Sequence, residues 1–450
     1  MTNNSQCVRA SLDFFYCSNK QSATGKSCFL LKKSCLFDII TLAEMLFLLY
    51  TLKICKECEL FLTGFFMTNQ VLNGIDNIQA VKDALRNRRA GLVTNPSAIN
   101  RQGYTAADLL AMENKVEIFF APEHGIRGDL QNGVTFDDTI DPVYGKKVYS
   151  IYGKNAHLTA ERVQDLDVII YDIQDVGSRA YSYLRTLAYL IEDCAKLNKE
   201  LIVLDRINPL GLDKVEGVLS EEKLDKRWAW GVTARFGLTH GEYARMVNKR
   251  YFNNACRLTV VECCNLKRDM MFDDLDMFWI NPSPNLPMYH SALVYAGCVM
   301  FEQSNISEAR GTTRPFEMYG APFADAYKIA ADLNKMELPG VIFRPCAFTS
   351  ECNSFDKYVH ECCRGIQVFV TDTHAYNCFE SGMWMLEAFR SNCPEFAVPF
   401  GNGRCAADRF DAQLGSEDWR LGKVSTADFI ERGRKESAEF KKSVSEFMLY

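Results

Sequence analysis

The chain has 450 residues, 48% hydrophobic and 24% charged, the profile of a globular protein with room for two domains. A net charge of -6 with no basic run removes the electrostatic footprint of a nucleic-acid binder, so no nucleic-acid partner is expected. Eighteen cysteines are many, but past the N-terminal segment they are adjacent pairs or scattered, and Cys55-x-x-Cys58 has no second CxxC at zinc-ribbon spacing. No metal or cofactor is expected. Buried free thiols suit a reducing compartment, so the expected location is cytoplasmic, with a periplasmic or secreted one as the alternative.

Residues 1–66 differ from the rest: they hold six cysteines and show no helix or strand period. The apolar run Leu36 to Leu52 looks like a signal core, but Asp38 and Glu44 interrupt it and no small-residue cleavage site follows. No membrane partner is expected. The segment reads as an extension upstream of a natural start at Met67.

From there the order is regular. A helix is predicted over Ile75 to Asn87, a strand over Gly91 to Thr94, and a helix over Thr105 to Glu113 with Thr105 as its N-cap and Asp108 completing the box. Strands follow at Val116 to Phe120, Lys147 to Tyr152, Asp167 to Tyr171 and Leu201 to Leu204. Helices fall at Thr159 to Leu166 and Tyr181 to Leu197. Helix Glu242 to Tyr251 and strand Leu258 to Val261 finish a first domain, residues 67–268. Alternating strands and helices specify an α/β protein with a Rossmann-like parallel sheet. Asn95, Glu123 with His124, Asp172 with Gln174 and Asp175, and Asp205 with Arg206 each lie just past a strand, and therefore converge on one sheet edge. Any one of them alone reads as a helix cap. Neither G-x-G-x-x-G nor a phosphate loop follows a predicted strand, which argues against NAD and ATP.

A second, smaller α/β domain is predicted over residues 269–450. It opens with Trp279 to Pro287, where Pro282, Pro284 and Pro287 forbid helix and impose an extended loop that either holds a ligand or tethers the domains. Phe301 to Glu317 gathers Glu302, Asn305, Glu308, Arg310, Arg314 and Glu317 in a segment broken by Gly311 and Pro315, a shaped loop rather than a solvated helix face. Helices are predicted at Ala326 to Met336, Gly382 to Arg390 and from Thr426, with strands at Gly340 to Phe343 and Ile366 to Thr371. The C-terminal tail shows no evident chemistry.

The blocks APEHGIRG, YDIQDVGSRAYSY, LDRINPLG, INPSPNLP, FEQSNISEARGTTRPFE and GVIFRP, in this order, resemble the exo-β-N-acetylmuramidases, formerly a family of unknown function. The resemblance runs from Asn73 to about Asp411. Gln303 departs from it, standing where the family has glycine, as do Phe236 and His240, which replace tyrosine and isoleucine. It implies a Rossmann-like domain and a smaller one with the cleft between them, and release of N-acetylmuramic acid from the non-reducing end of peptidoglycan fragments.

Such hydrolysis needs an acid to protonate the leaving oxygen and a second group at the oxocarbenium-like centre. Glu123, after an apolar strand and Pro122, is expected to be desolvated, raised in pKa and the acid, with His124 tuning it. For the second group Asp172 and Asp175 are favoured over Glu308 and Glu317. Gln174 and Tyr181 are candidates for the N-acetyl group, and Arg179, Arg310 or Arg314 for the lactyl carboxylate. Arg127, Asp205, Arg206, Asn285 and Asn305 complete the expected substrate contacts. A non-catalytic muropeptide-binding protein is the competing reading, and a sugar-phosphate or nucleotide enzyme a more distant one. The carboxyl separation that separates retention from inversion is a structural quantity.

Overall fold

Parallel pairing organises the first half of the chain. The computed structural model describes residues 70–86, 88–111, 115–221, 224 and 230–450, so the expectations for residues 1–66 fall outside the described part. Seven strands form one sheet: β1 (Ala90–Thr94), β2 (Val116–Ala121), β3 (Thr139–Ile140), β4 (Lys147–Ser150), β5 (Val168–Asp172), β6 (Glu200–Leu204) and β7 (Arg257–Val261). Their order is β3-β4-β2-β1-β5-β6-β7, parallel throughout except for β3 against β4. β1 is central, with Leu92 paired to Phe119 on one side and Ile170 on the other. From β1 the chain winds first toward β4 and then toward β7, so the strand order reverses between β1 and β5, the place where doubly wound sheets leave a crevice.

Both faces of this sheet are covered, which is why β1 and β5 are buried at every position. Alternate residues enter opposite cores. Val93, Phe120, Ile169 and Tyr171 pack with the Ser182–Leu197 and His240–Phe252 helices, while Leu92, Phe119, Val168 and Ile170 pack with the Ile78–Leu85 and Ala106–Ala111 helices. The expected box at Thr105 is present: the Thr105 hydroxyl accepts from the Asp108 amide at 3.1 Å and Asp108 accepts from the Thr105 amide at 2.9 Å. The first predicted helix is divided, because Asn77 accepts from the Ala80 amide and caps a new helix after the 3-10 turn Gly74–Asp76.

The second sheet is antiparallel and smaller, β8 (Met318–Ala321), β9 (Val341–Thr349) and β10 (Cys362–Val370) in the order β8-β10-β9. Ile366, Val368 and Phe343 pack there against Leu333, Met385 and Phe389 of the Ala326–Asn334 and Cys378–Asn392 helices. β8 and the Tyr289–Cys298 helix are absent from the sequence expectations. That helix is buried on nearly all sides, so it carries no polar stripe to betray its period. It crosses Cys378–Asn392 at a contact only glycine permits: a Cβ on Gly297 or on Gly382 would lie 1.8 Å from a backbone oxygen of the other helix. Among the described residues no helix is long and apolar enough to cross a membrane.

Candidate active site

The carboxyl ends of the strands do carry the expected polar residues, but the structure divides them into a buried floor and an open cavity. Asp172 and Arg206 form a floor pair, 0% and 2% exposed, with Arg206 Nη2 donating to Asp172 Oδ2 at 3.0 Å and Nη1 to the Ile99 carbonyl at 2.9 Å. Asp205 is equally buried and accepts from Thr239, the Gly241 amide and the Tyr450 hydroxyl. Asp175 accepts from the Gly177 amide at 3.0 Å and lies 3.7 Å from His240, and Gln174 donates to the carbonyls of Asp175 and Ile207. None of these five reaches the cavity. Desolvated strand-end polar groups bind each other when nothing larger separates them.

Glu123 is placed differently. β2 ends in a turn with positive φ at His124 (72°), Gly125 (78°) and Gly128 (70°), which folds the following loop back over the strand end. The Gly133 amide donates to Glu123 Oε1 at 2.9 Å, and the Tyr152 phenol, just past β4, donates to the same oxygen at 2.8 Å. Glu123 lines a cavity of about 500 Å³ with His124, Tyr152, Tyr181, Ser182 and Arg185 from the earlier part of the chain, and Glu302, Gln303, Arg310, Phe316 and Arg409 from the later part. That volume suits a sugar-sized ligand.

The cavity's two carboxylates sit in opposite environments. Burial pushes Glu123 upward, but His124, the Ser182 hydroxyl, the Gly133 amide and the Tyr152 phenol together hold it below the ordinary glutamate range. This reverses the expected rise and leaves Glu123 ionised at neutral pH. Burial lowers His124, whose Nδ1 lies 2.8 Å from the Leu130 carbonyl. Glu302 is raised by burial, with Glu308 adding to the rise and Arg310 opposing it. Glu302 ends a buried row of alternating charge: Lys357 Nζ to Glu308 at 2.8 Å, Glu308 to Arg310 Nε at 3.2 Å, then Arg310 to Glu302. Gln413 donates to the other Glu302 oxygen at 2.8 Å.

Models of the exo-beta-N-acetylmuramidase NamZ family match in both halves, the N-terminal one over residues 90–290 and the C-terminal one over residues 293–450. The chain belongs to the exo-β-N-acetylmuramidase family. It is 36% identical over 390 residues to the peptidoglycan beta-N-acetylmuramidase NamZ of Bacillus subtilis (strain 168), covering 85% of this chain and 92% of that one. Two crystal structures of DUF1343-family proteins from Bacteroides fragilis NCTC 9343 superpose with TM-scores of 0.76 and 0.66, at 30% and 26% identity, each over 85% of this chain and 99% of theirs. Glu123 falls in the first matched region, and Glu302 and Arg310 in the second.

The remaining expected contacts are scattered. His124, Tyr181 and Arg310 line the cavity, and Asn285 stands just outside it, donating to Gln131 at 3.2 Å. Arg127 pairs with Asp141. Arg179 is occupied by the carbonyls of Val218, Val232 and Gln413, and Asn305 by the backbone of Glu395 and Ala397. Glu308 lies behind Arg310, and Arg314 pairs with Glu317 at 2.7 Å, both away from the cavity. Sequence reasoning passed over Tyr152, Ser182, Arg185, Glu302 and Arg409 as site residues. Glu302 alone carried a signal, its place in the broken polar segment. Arg409 lies in the tail that showed no chemistry. Among the described residues no three His, Cys, Asp or Glu gather to hold a metal ion.

Proposed function

We propose that the protein hydrolyses β-glycosidic bonds, releasing N-acetylmuramic acid from the non-reducing end of peptidoglycan fragments. One observation carries the reading: two carboxylates lining one cavity, from distant parts of the chain, whose surroundings shift one toward the ionised and the other toward the neutral form. Glu302, whose pKa burial raises against the pull of Arg310, is assigned as the acid that protonates the leaving oxygen. Glu123, ionised and oriented by three hydrogen-bond donors, serves the anomeric centre. The acid role expected of Glu123 thus passes to Glu302, and the second role passes from Asp172 and Asp175 to Glu123.

An anionic lactyl group needs a cation that is not already consumed. Arg179 and Arg314 are engaged, and Arg310 is shared between Glu302 and Glu308. Arg409 lines the cavity and opposes the rise of the Tyr152 phenol, so the lactyl carboxylate is assigned to that end. Release of N-acetylmuramic acid from a chromogenic β-muramic acid glycoside tests the whole reading. Tight binding without release would favour a muropeptide-binding protein instead. The twelve described cysteines are all free, which supports a reducing, cytoplasmic location. Recovery of the native protein outside the cytoplasmic fraction would overturn that placement.

A further inference from the structure

The segment carrying Glu302 brings a second side chain to the cavity. Gln303 is only 2% exposed, yet it lines the cavity beside the assigned acid. Its backbone carbonyl accepts from the Phe400 amide at 2.9 Å, and its side-chain Oε1 accepts from the Ala406 amide at 3.0 Å. A backbone amide can only donate, so this contact fixes which end of the carboxamide is oxygen and leaves Nε2 as the other end. Among the described residues Nε2 meets no acceptor. Burial makes an unpaired donor costly, so this N–H calls for an oxygen from outside the chain. Ala406 precedes the Ala407–Leu414 helix, which carries Arg409 into the same cavity and Gln413 onto Glu302. Gln303 is thus clamped between the segments that hold the acid and the cation, and a flip of its carboxamide would set two N–H groups face to face.

We propose that Gln303 reads the 2-acetamido group of the sugar, donating from Nε2 to its carbonyl oxygen and so selecting an N-acetylated sugar over one with a free 2-amino group. The inference rests on the glycosidase reading above. Among the sugar's oxygens that accept without donating, the lactyl carboxylate is assigned to Arg409. The ring oxygen loses electron density as the oxocarbenium-like centre forms, so a donor held on it would oppose the reaction. The acetamido carbonyl, the strongest neutral acceptor of the sugar, is the match for a fixed neutral N–H. A free amine, protonated near neutral pH, would turn donors toward that N–H and leave both unpaired. The two residues expected at the N-acetyl group are out of reach: Gln174 does not reach the cavity, and the Tyr181 hydroxyl is wholly buried although the residue lines it.

The test pairs two aryl glycosides, the 4-nitrophenyl β-glycoside of N-acetylmuramic acid and its de-N-acetylated counterpart, which differ only at the group Gln303 is assigned to read. Gln303→Met keeps the length of the side chain and removes the N–H. It should lower kcat/KM for the acetylated glycoside by roughly fivefold to tenfold, the worth of about one hydrogen bond, without a matching loss on the amine. Gln303→Glu keeps an oxygen toward the Ala406 amide and turns a second oxygen to the cavity, so it should raise kcat/KM for the amine by roughly tenfold while lowering it for the acetylated glycoside. Both substrates use the same acid and cation, so any displacement of Glu302 or Arg409 acts on the two alike and cancels in their ratio. Equal losses on both substrates, or no gain on the amine in Gln303→Glu, would overturn the role of Gln303 and leave the glycosidase reading standing. A wild-type protein that releases nothing from the acetylated glycoside would remove that reading as well.

Discussion

Replacing Asp172 by asparagine separates the buried floor from the cavity. The substitution keeps shape but removes the negative partner of a guanidinium that is 2% exposed, and of the contacts described above Arg206 retains in full only the one to the Ile99 carbonyl. Breaking one side of a buried ion pair costs about 3–5 kcal/mol, and asparagine can still accept one hydrogen bond, so the lower end, roughly 3 kcal/mol, applies. At about 2 °C per kcal/mol for a chain of this length, the melting temperature should fall by roughly 6 °C. Differential scanning fluorimetry reads the shift, and turnover of the aryl glycoside, measured well below the lowered transition, should remain within about threefold of wild type. Adding Arg206→Met should restore part of the lost stability, since it removes the buried guanidinium left without its carboxylate. The reasoning fails should Asp172→Asn melt like wild type yet lose a hundredfold or more in kcat, because the carboxylate would then be serving the reaction rather than the fold.

Further outcomes follow from the cavity itself. Glu123→Gln and Glu302→Gln should each reduce kcat by about a thousandfold or more while melting within a few degrees of wild type; near-normal turnover by either removes that residue from the chemistry. Because hydrogen bonds and His124 depress Glu123, its contribution to stability is present above the unfolded glutamate value of about 4.3 and lost as pH falls through the lower folded value. The acid limb of kcat/KM should therefore lie below about 4.3 and the alkaline limb, set by the raised Glu302, above it; a residual activity of Glu302→Gln that keeps the alkaline limb contradicts the assignment. Arg409→Gln should raise KM for a substrate with a free lactyl carboxylate about tenfold but barely alter it for the lactyl methyl ester, and equal effects on both would move the anion site elsewhere. Cys352 and Cys362 are the exposed thiols among the described residues, so brief maleimide treatment followed by peptide mass analysis should label those two ahead of the buried ones.

The first sheet was legible because strand runs such as Val168–Asp172 are short, β-branched and bounded by polar groups, and because their order alternates with helices. The antiparallel strands were under-read: β9 alternates buried and exposed residues around a central Pro345, which obscures its length. At the site, period and strand position located Glu123 but were blind to direction. Asp172 and Glu123 follow strands in the same way, yet one turns into the sheet and the other, on the His124 turn, into the cavity. Glu302 and Arg409 come from segments far along the chain, and no local pattern relates them to β2.

The chain's last residues reach back to the first sheet. Tyr450 hydrogen-bonds Asp205 at 2.7 Å and receives the Cys263 amide at 2.8 Å, the Leu449 amide donates to Glu242, and Arg179 leans on the Gln413 carbonyl. Severing the polypeptide near residue 291, between its two matched regions, would strip three buried polar groups of partners that only the distal piece supplies. Neither fragment made alone should therefore give a soluble product, whereas the two synthesised together should reassociate into one heterodimeric enzyme, much as a split reporter does.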